Sequence, residues 1–258
     1  MTIGIFDSGV GGLGIFDEVR NKLSKSSIFY IADSGNCPYG DKSVREIQQI
    51  CKKNTKYLLD LGAEIIVVAC NSASVSALNY LRTQFPSVPI IGVVPVIKTA
   101  AKKTKKIGVL ATKATIKSKY LQGLIEEFAP KDDGYEITYV ACGGLVDSVE
   151  TGDDDKIFIE LTKCLKPLIE NEVEVVVLGC THFPFARDQI KKVLGRKVKI
   201  LDSNAAVARQ VKRIVTSNKR LVTSNKPTYK FYTSGNPEQV TSVAQKLLRD
   251  KSIIFEKI

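Results

Sequence analysis

Short β-branched apolar runs alternate with longer amphipathic segments along most of this chain. Such alternation is typical of a parallel sheet whose strands are joined by helices that cover its faces. In the first third of the sequence, strands are predicted at Thr2–Phe6, Ile28–Ala32, Ile65–Ala69 and Ile90–Val93, with a helix at Ser74–Phe85. The pattern therefore predicts the α/β fold class.

The pattern restarts after Pro95. Lys106–Ala111 resembles Thr2–Phe6, and a polar loop and a helix again follow it. The other elements of this second set are predicted as strands at Glu136–Ala141, Val173–Leu178 and Val198–Leu201 and a helix at Lys156–Glu170. We interpret the restart as an internal duplication. It predicts two similar α/β domains with mostly parallel sheets and an active site in the cleft between them.

The limits of the two domains follow from where the pattern restarts. With 258 residues, the chain is long enough for two domains of about 100–150 residues each. We predict that residues 1–95 and 209–258 form the first domain and that residues 96–208 form the second. The hydrophobic and charged fractions, 44% and 25%, are those of globular proteins, so general disorder is not expected.

Two of the predicted strands end in a cysteine that hydrogen-bonding residues follow. These cysteines are Cys70, followed by Asn71 and Ser72, and Cys180, followed by Thr181 and His182. Strand ends of an open α/β sheet present side chains to a ligand crevice, and the start of a helix lowers the pKa of a thiol. Two thiols on opposite walls of a cleft suit a reaction that takes a proton from one face of a carbon and returns one to the other.

A glycine-rich turn follows the first strand directly. It consists of Asp7, Ser8, Gly9, Val10, Gly11 and Gly12. Three glycines in four residues let the backbone approach a ligand and present N–H groups to a carboxylate or phosphate. The spacing is neither the dinucleotide-binding GxGxxG pattern nor a P-loop. A second polar loop, with a Pro-Tyr-Gly turn at Tyr39 and Gly40, follows the second strand.

Charge and hydropathy exclude some classes of function. The formal net charge is +11, from 38 basic and 27 acidic residues, but the lysine clusters lack interleaved aromatic residues. No recognition-helix or zinc-finger pattern accompanies them, so nucleic-acid binding is not expected. No apolar run reaches the roughly 18–20 residues that a membrane span needs. The N-terminal sequence is unlike a signal peptide, and a cytoplasmic location is expected.

The six cysteines are expected to be reduced thiols rather than disulfides, because the chain is long and has an ordinary core composition. Cys51 and Cys164 lie in helical patterns and are expected to be buried apolar side chains, whereas Cys37 and Cys142 are left undecided. No CxxC or paired-histidine pattern exists, and Cys180 with His182 cannot by themselves complete a zinc site. No metal site is predicted.

Several motifs together resemble the bacterial glutamate racemases of the aspartate/glutamate racemase family. They are Asp7–Leu13, Pro38–Gly40, Ala69–Ser74, Ala111–Ile116, Gly179–Pro184 and Thr233–Gly235, and they cover nearly the whole chain. The resemblance implies an isomerase that needs no cofactor, interconverts L- and D-glutamate with two cysteines, and supplies D-glutamate for peptidoglycan synthesis. It also implies two catalytic cysteines at Cys70 and Cys180.

The resemblance further implies a set of substrate-binding residues. They are Asp7, Ser8, Tyr39, Gly40, Asn71, Ser72, Thr181 and His182. Two positions depart from the family pattern. Ser72 stands where threonine is more common but keeps the hydroxyl, and Cys142–Asp147 replaces an apolar, proline-containing stretch. Glu150 is a candidate for the acidic residue that follows this stretch in relatives.

Other functions stay open from the residues alone. A racemase for aspartate or a related amino acid would use the same paired cysteines. A basic module that binds nucleic acid or protein, with secondary catalysis, would use the positive charge. A small-molecule substrate is expected in either racemase case, and a homodimer is a possible assembly.

Overall fold

The structure, a computed structural model, describes residues 1–217 and 226–258. Its strands form two sheets, one of six strands and one of four. In chain order they are β1 Thr2–Asp7, β2 Ser27–Ala32, β3 Ile65–Val68, β4 Ile90–Gly92, β5 Lys106–Ala111, β6 Glu136–Ala141, β7 Val175–Gly179, β8 Lys199–Leu201, β9 Tyr229–Thr233 and β10 Phe255–Lys257.

Helices connect most of the strands. They are α1 Leu13–Lys22, α2 Val44–Asp60, α3 Asn71–Gln84, α4 Ile97–Ala101, α5 Lys113–Lys117, α6 Lys119–Phe128, α7 Gly144–Thr151, α8 Asp154–Cys164, α9 Lys166–Glu170, α10 Arg187–Leu194, α11 Asn204–Ser217 and α12 Pro237–Leu248. Within the described residues, no helix is both long and apolar enough to cross a membrane.

The two sheets share one strand order. The larger sheet runs β10-β9-β2-β1-β3-β4 and the smaller runs β6-β5-β7-β8, and every strand pair between described residues is parallel. The four strands of the smaller sheet therefore repeat the order of β2-β1-β3-β4. This confirms the predicted α/β class with parallel sheets. It also makes β3 and β7 equivalent strands, so the residues that follow them lie at equivalent edges.

Buried aliphatic side chains explain why these segments form central strands. All four residues of β3 and nearly all of β1 and β7 are inaccessible to solvent, because helices cover both faces of each sheet. Strands that are buried on both faces are continuous apolar runs rather than alternating ones. Each fully buried valine or isoleucine contributes about 1.5–3 kcal/mol, so these strands are a rigid support for the polar residues at their ends.

Two predicted helices have different limits in the structure. α3 begins at Asn71 instead of Ser74, because Cys70 has an extended backbone and serves as the N-cap. The predicted helix Lys156–Glu170 is divided at Leu165 into α8 and α9. Pro167 has no N–H to continue the helical hydrogen bonds, and its ring clashes with the preceding turn.

One expectation about the cysteines is wrong. Cys142 and Cys164 form a disulfide, although the sequence predicted reduced thiols. Cys142 lies just after β6 and Cys164 ends α8, and the packing of α7 against α8 brings their Cα atoms to 5.9 Å. Their separation of 22 positions gives no sign of this approach in sequence. Cys37, Cys51, Cys70 and Cys180 are free thiols, as expected.

The exact limits of the domains stay a prediction. The six-stranded sheet uses strands from both ends of the chain, and the four-stranded sheet uses only β5 to β8. α11 crosses the predicted limit at residue 209 and packs against α1. The carboxyl ends of β1 and β3 face those of β5 and β7, as the hydrogen bonds between Ser72 and Thr112 and between Thr181 and Asp7 show.

Candidate active site

A small cavity of about 10 Å³ lies where the carboxyl ends of the two sheets meet. All the site residues predicted from the sequence line it, except Asp7, which lies fully buried behind them. The lining consists of Ser8, Pro38, Tyr39, Gly40, Cys70, Asn71, Ser72, Thr112, Val146, Cys180, Thr181 and His182. Pro38, Thr112 and Val146 are additions to the predicted site residues.

Cys70 forms one wall of this cavity. It follows β3 and caps α3, and only 5% of the residue is exposed. Its thiol donates to the Ser8 hydroxyl at 3.8 Å, and that hydroxyl donates to Asp7 Oδ1 at 3.2 Å. Thiol, hydroxyl and carboxylate therefore form a hydrogen-bonded series that leads from the cavity to a buried acid.

The charge state of this series depends on burial. Asp7 accepts hydrogen bonds from the Ser8 amide at 2.6 Å and from Thr181 Oγ1 at 3.0 Å, yet burial raises the pKa of Asp7 from 3.8 to about 6. Glu150 adds to this rise through charge repulsion. Burial, with the nearby charge of Asp7, also raises the pKa of the Cys70 thiol well above its usual range. At neutral pH Cys70 is therefore a thiol, and Asp7 is close to its titration range.

Cys180 lies on the opposite wall, after β7. Its Sγ is 3.7 Å from His182 Nδ1, and His182 Nε2 is 2.6 Å from Glu150 Oε1. Burial by itself lowers the pKa of His182, but the hydrogen bonds to Cys180 and Glu150 outweigh burial and hold this pKa well above its usual range. Thiol, imidazole and carboxylate form a second series here. On each wall of the cavity, a cysteine is therefore connected through one intervening side chain to a carboxylate.

The glycine-rich turn has a different use from the predicted one. Its Val10 amide does donate to a carboxylate, but that carboxylate is Glu150 Oε1 of the protein itself, at 2.6 Å. A Cβ at Gly9 would lie 1.9 Å from Glu150 Oε1, and a Cβ at Gly11 would lie 2.4 Å from His182 Nδ1. The glycines therefore make room for the Glu150–His182 pair.

Gly11→Ala is expected to displace His182 and to lower the free energy of unfolding by about 1–3 kcal/mol, the usual cost of overpacking. The His182 ring is buried and hydrogen-bonded at both nitrogens, so it cannot move aside without losing a partner. Chemical denaturation of the variant measures this loss.

Gly123→Ala provides the matched control, since Gly123 lies inside α6 and a Cβ there meets nothing within 4 Å. The control variant is expected to gain about 0.5–1 kcal/mol, because alanine loses less conformational entropy in a helix than glycine does. Equal stability of the Gly11→Ala variant and the unchanged protein would contradict the close packing of Gly11 on His182.

Three lining side chains differ in how fully they are hydrogen-bonded. The Tyr39 hydroxyl is used within the fold, because it donates to Asp33 Oδ2 at 2.5 Å and accepts from Asn54 at 3.2 Å. Ser72 Oγ lies 3.0 Å from Thr112 Oγ1 across the cavity. Asn71 Nδ2, by contrast, is buried and has no hydrogen-bond partner among the described residues. An unpaired buried donor beside a cavity is suited to a ligand's oxygen atoms.

Two functional residues that were not predicted have partial signals in the sequence. Thr112 follows β5 as Ser8 follows β1, so the internal duplication could have placed it at the cavity. Glu150 was only a candidate, because α7 begins with Gly144 and glycine disfavours helix formation. Without a predicted helix, no spacing argument could direct the Glu150 side chain toward His182.

A larger cavity, of about 830 Å³, lies on the far side of α3. It is lined by residues of α3, β4 and α11, and by Lys119 and Tyr120 of α6. None of the predicted site residues reaches it. The candidate active site is therefore the smaller cavity, where both thiols and both acid-linked series meet.

Comparison with known proteins gives the family. The model of the Asp/Glu/Hydantoin racemase family matches residues 14–211. The glutamate racemase of Pseudomonas aeruginosa strain PAO1 is 36% identical over 246 residues, which are 94% of this chain and 92% of the relative. That of Herpetosiphon aurantiacus is 39% identical over 250 residues, 95% of this chain and 97% of the relative.

Solved structures are similar in the same way. A glutamate racemase isoform from Bacillus anthracis superposes with a TM-score of 0.86 at 32% identity, covering 100% of this chain and 97% of that one. The glutamate racemase of Francisella tularensis, solved in complex with D-glutamate, gives a TM-score of 0.85 at 29% identity over 100% and 97% of the two chains. By sequence and by structure, this chain belongs to the Asp/Glu/hydantoin racemase family.

Proposed function

We propose that this chain is a glutamate racemase that needs no cofactor and supplies D-glutamate for peptidoglycan synthesis. The observation that carries the proposal is the pair of thiols, Cys70 and Cys180, which follow equivalent strands of two sheets and line one cavity. Glutamate as substrate is supported by relatives that are glutamate racemases over nearly the full chain and by a related structure that holds D-glutamate.

The reaction needs a base on one face of the α-carbon and an acid on the other. In the proposed mechanism, one cysteine takes the α-proton as a thiolate while the other gives a proton as a thiol, and the roles exchange with the handedness of the substrate. Ser8 and Asp7 accept the proton of Cys70 when it must become a thiolate. His182, held by Glu150, does the same for Cys180.

Acid–base chemistry supplies only part of the required rate. General acid–base catalysis typically raises a rate by about 10²–10⁴-fold. The α-proton of an amino acid is so weakly acidic that the barrier to its removal must be lowered by more than this. Stabilisation of the charge that develops on the substrate carboxylate must supply the rest. The unpaired Asn71 Nδ2, at the start of α3, is the donor we assign to this carboxylate.

The purified chain is expected to racemise L-glutamate in D₂O without any added cofactor. Each turnover should incorporate one deuterium at the α-carbon, because the proton given to the second face comes from a thiol that exchanges with solvent. Optical activity and α-deuterium are followed together. A parallel assay with L-aspartate tests for aspartate racemase activity. A higher kcat/KM for L-aspartate than for L-glutamate would identify aspartate as the preferred substrate.

Absence of α-exchange with both amino acids, while the thiols are reduced, would contradict racemisation altogether. The basic-module alternative then gives a distinct result, namely DNA binding that weakens steeply with salt and survives the loss of both cysteines. A cytoplasmic location and a homodimer remain part of the proposal. Light scattering tests the homodimer, which should have twice the mass of the chain.

A further inference from the structure

A third thiol lies beside the proposed catalytic pair. Cys37 is a half-buried free cysteine in the loop that follows β2, and its thiol interacts with the Ser8 hydroxyl of the series that ends in Asp7. Its Sγ, a carboxylate oxygen of Glu150 and a ring nitrogen of His182 all lie within 4.8 Å of one another. The three residues come from separate parts of the chain, so only the folded protein contains this cluster.

The loop of Cys37 is held in place on several sides. Asp33 accepts hydrogen bonds from the Asn36 and Tyr39 side chains, which fixes both flanks of Cys37. Ser34 Oγ donates to Glu150 Oε2 at 3.4 Å and so joins this loop to the second ligand of the cluster. His182 is buried and hydrogen-bonded. The three donor groups are therefore preorganised rather than brought together by chance on a mobile surface.

The chemistry of these donors selects the cation. One thiolate sulfur, one imidazole nitrogen and one carboxylate oxygen are ligands of Zn²⁺, and three protein ligands with a fourth open position are typical of exchangeable zinc sites. Mg²⁺ and Ca²⁺ prefer oxygen ligands only. The surroundings are also negative: after burial, the charges of Glu150 and Asp7 are the main causes that raise the pKa of Cys37. A divalent cation relieves that repulsion.

We propose that Cys37, Glu150 and His182 form an inhibitory binding site for Zn²⁺ next to the active-site cavity. The ion replaces the proton shared by His182 Nε2 and Glu150, whose atoms move apart from 2.6 Å to bond it, and is anchored by the Cys37 sulfur. Bound there, it removes His182 from the Cys180 series, because the imidazole that coordinates a metal no longer exchanges a proton with Glu150. Binding itself is independent of the proposed racemase activity, whereas inhibition rests on it.

The test compares the unchanged protein with Cys37→Ala and Cys51→Ala. Cys51 is another free, buried thiol, located in α2, and it serves as the matched control. The proteins are handled under argon without added reductant, so that the Cys142–Cys164 disulfide stays closed and offers no ligands. ZnCl₂ binding is measured by equilibrium dialysis with metal analysis, and inhibition of α-proton exchange is measured in parallel against MgCl₂.

The unchanged protein and the Cys51→Ala variant are expected to bind one Zn²⁺ per chain and to lose activity reversibly, with chelator restoring it. Cys37→Ala is expected to bind Zn²⁺ at least ~100-fold more weakly and to resist inhibition relative to its own metal-free activity. Loss of a direct ligand should cost at least as much as loss of an outer-sphere partner, which is worth about 10–100-fold in affinity. Equal Zn²⁺ affinity of all three proteins would assign the ion to Cys70 and Cys180 and overturn the proposal. Equal losses in both variants, or no Zn²⁺ bound by the unchanged protein, would overturn it too.

Discussion

Cys70→Ser and Cys180→Ser are each expected to lower kcat for glutamate racemisation by at least ~10³-fold. A serine hydroxyl is far less acidic than a thiol, so it neither becomes the base nor gives up a proton at neutral pH, and general acid–base catalysis is worth about 10²–10⁴-fold. Racemisation in either direction uses both walls of the cavity, so either substitution stops it. Initial rates with L- and D-glutamate measure the loss.

The two substitutions are expected to be non-additive. Each thiol depends on the other to complete one turnover, so the double variant should be about as slow as the slower single variant. Binding of D-glutamate, measured by calorimetry, and the free energy of unfolding should change little. Cys51→Ala is the control for removal of a buried thiol outside the cavity. Near-normal turnover in either serine variant would contradict the two-base mechanism.

Asp7→Asn is expected to stabilise the protein at pH 7 and to lower its activity. Burial raises the pKa of Asp7 from 3.8 to about 6. Because the folded protein holds this proton more tightly than the unfolded chain, the stability of the unchanged protein falls as the pH rises from about 4 to about 6. The loss is about 3 kcal/mol at pH 7, since one pKa unit is worth about 1.4 kcal/mol.

Asparagine removes this pH-dependent loss because it has no charge to bury, and it has the shape to keep the hydrogen bonds with Ser8 and Thr181. The difference in unfolding free energy between the Asp7→Asn variant and the unchanged protein should therefore grow from pH 4 to pH 6 and then stay constant. Activity should fall ~10²-fold or more, because the amide cannot accept the proton that Ser8 passes on. The acid limb of the kcat/KM profile, with an apparent pKa near 6, should disappear.

Asp33→Asn is the matched control, with an opposite expected sign. Asp33 is as deeply buried as Asp7 and follows the neighbouring strand β2, but it accepts hydrogen bonds from Asn36, Tyr39 and Ser234. An amide cannot accept all of these, and an unsatisfied buried donor costs about 1–3 kcal/mol. If both variants lost stability alike at pH 7, the burial of an uncompensated charge at Asp7 would be contradicted.

Much of the fold could be predicted because it depends on local patterns. β-branched apolar runs predicted nearly every strand of both sheets. The sequence resemblance of Lys106–Ala111 to Thr2–Phe6 agrees with the structure, in which β5 and β1 occupy equivalent positions in the strand orders of their sheets. The division at Pro167 was missed because a single proline stood within an otherwise amphipathic segment. α7 was missed because its N-cap Gly143 and its first residue Gly144 are poor helix formers, a preference that tertiary packing overrides.

Local sequence is enough to show which residue types end each strand, and hence that a thiol and hydrogen-bonding groups stand at the edges of β3 and β7. How side chains distant in sequence meet depends on the folded chain. Folding brought Glu150 to His182 and to the turn glycines, linked Cys70 through Ser8 to Asp7, placed Cys37 beside Glu150, and closed the Cys142–Cys164 disulfide. The physical reason is that strand and helix periodicity is set by neighbours along the chain, whereas charge burial, proton affinity and metal-ligand geometry are set by neighbours in space.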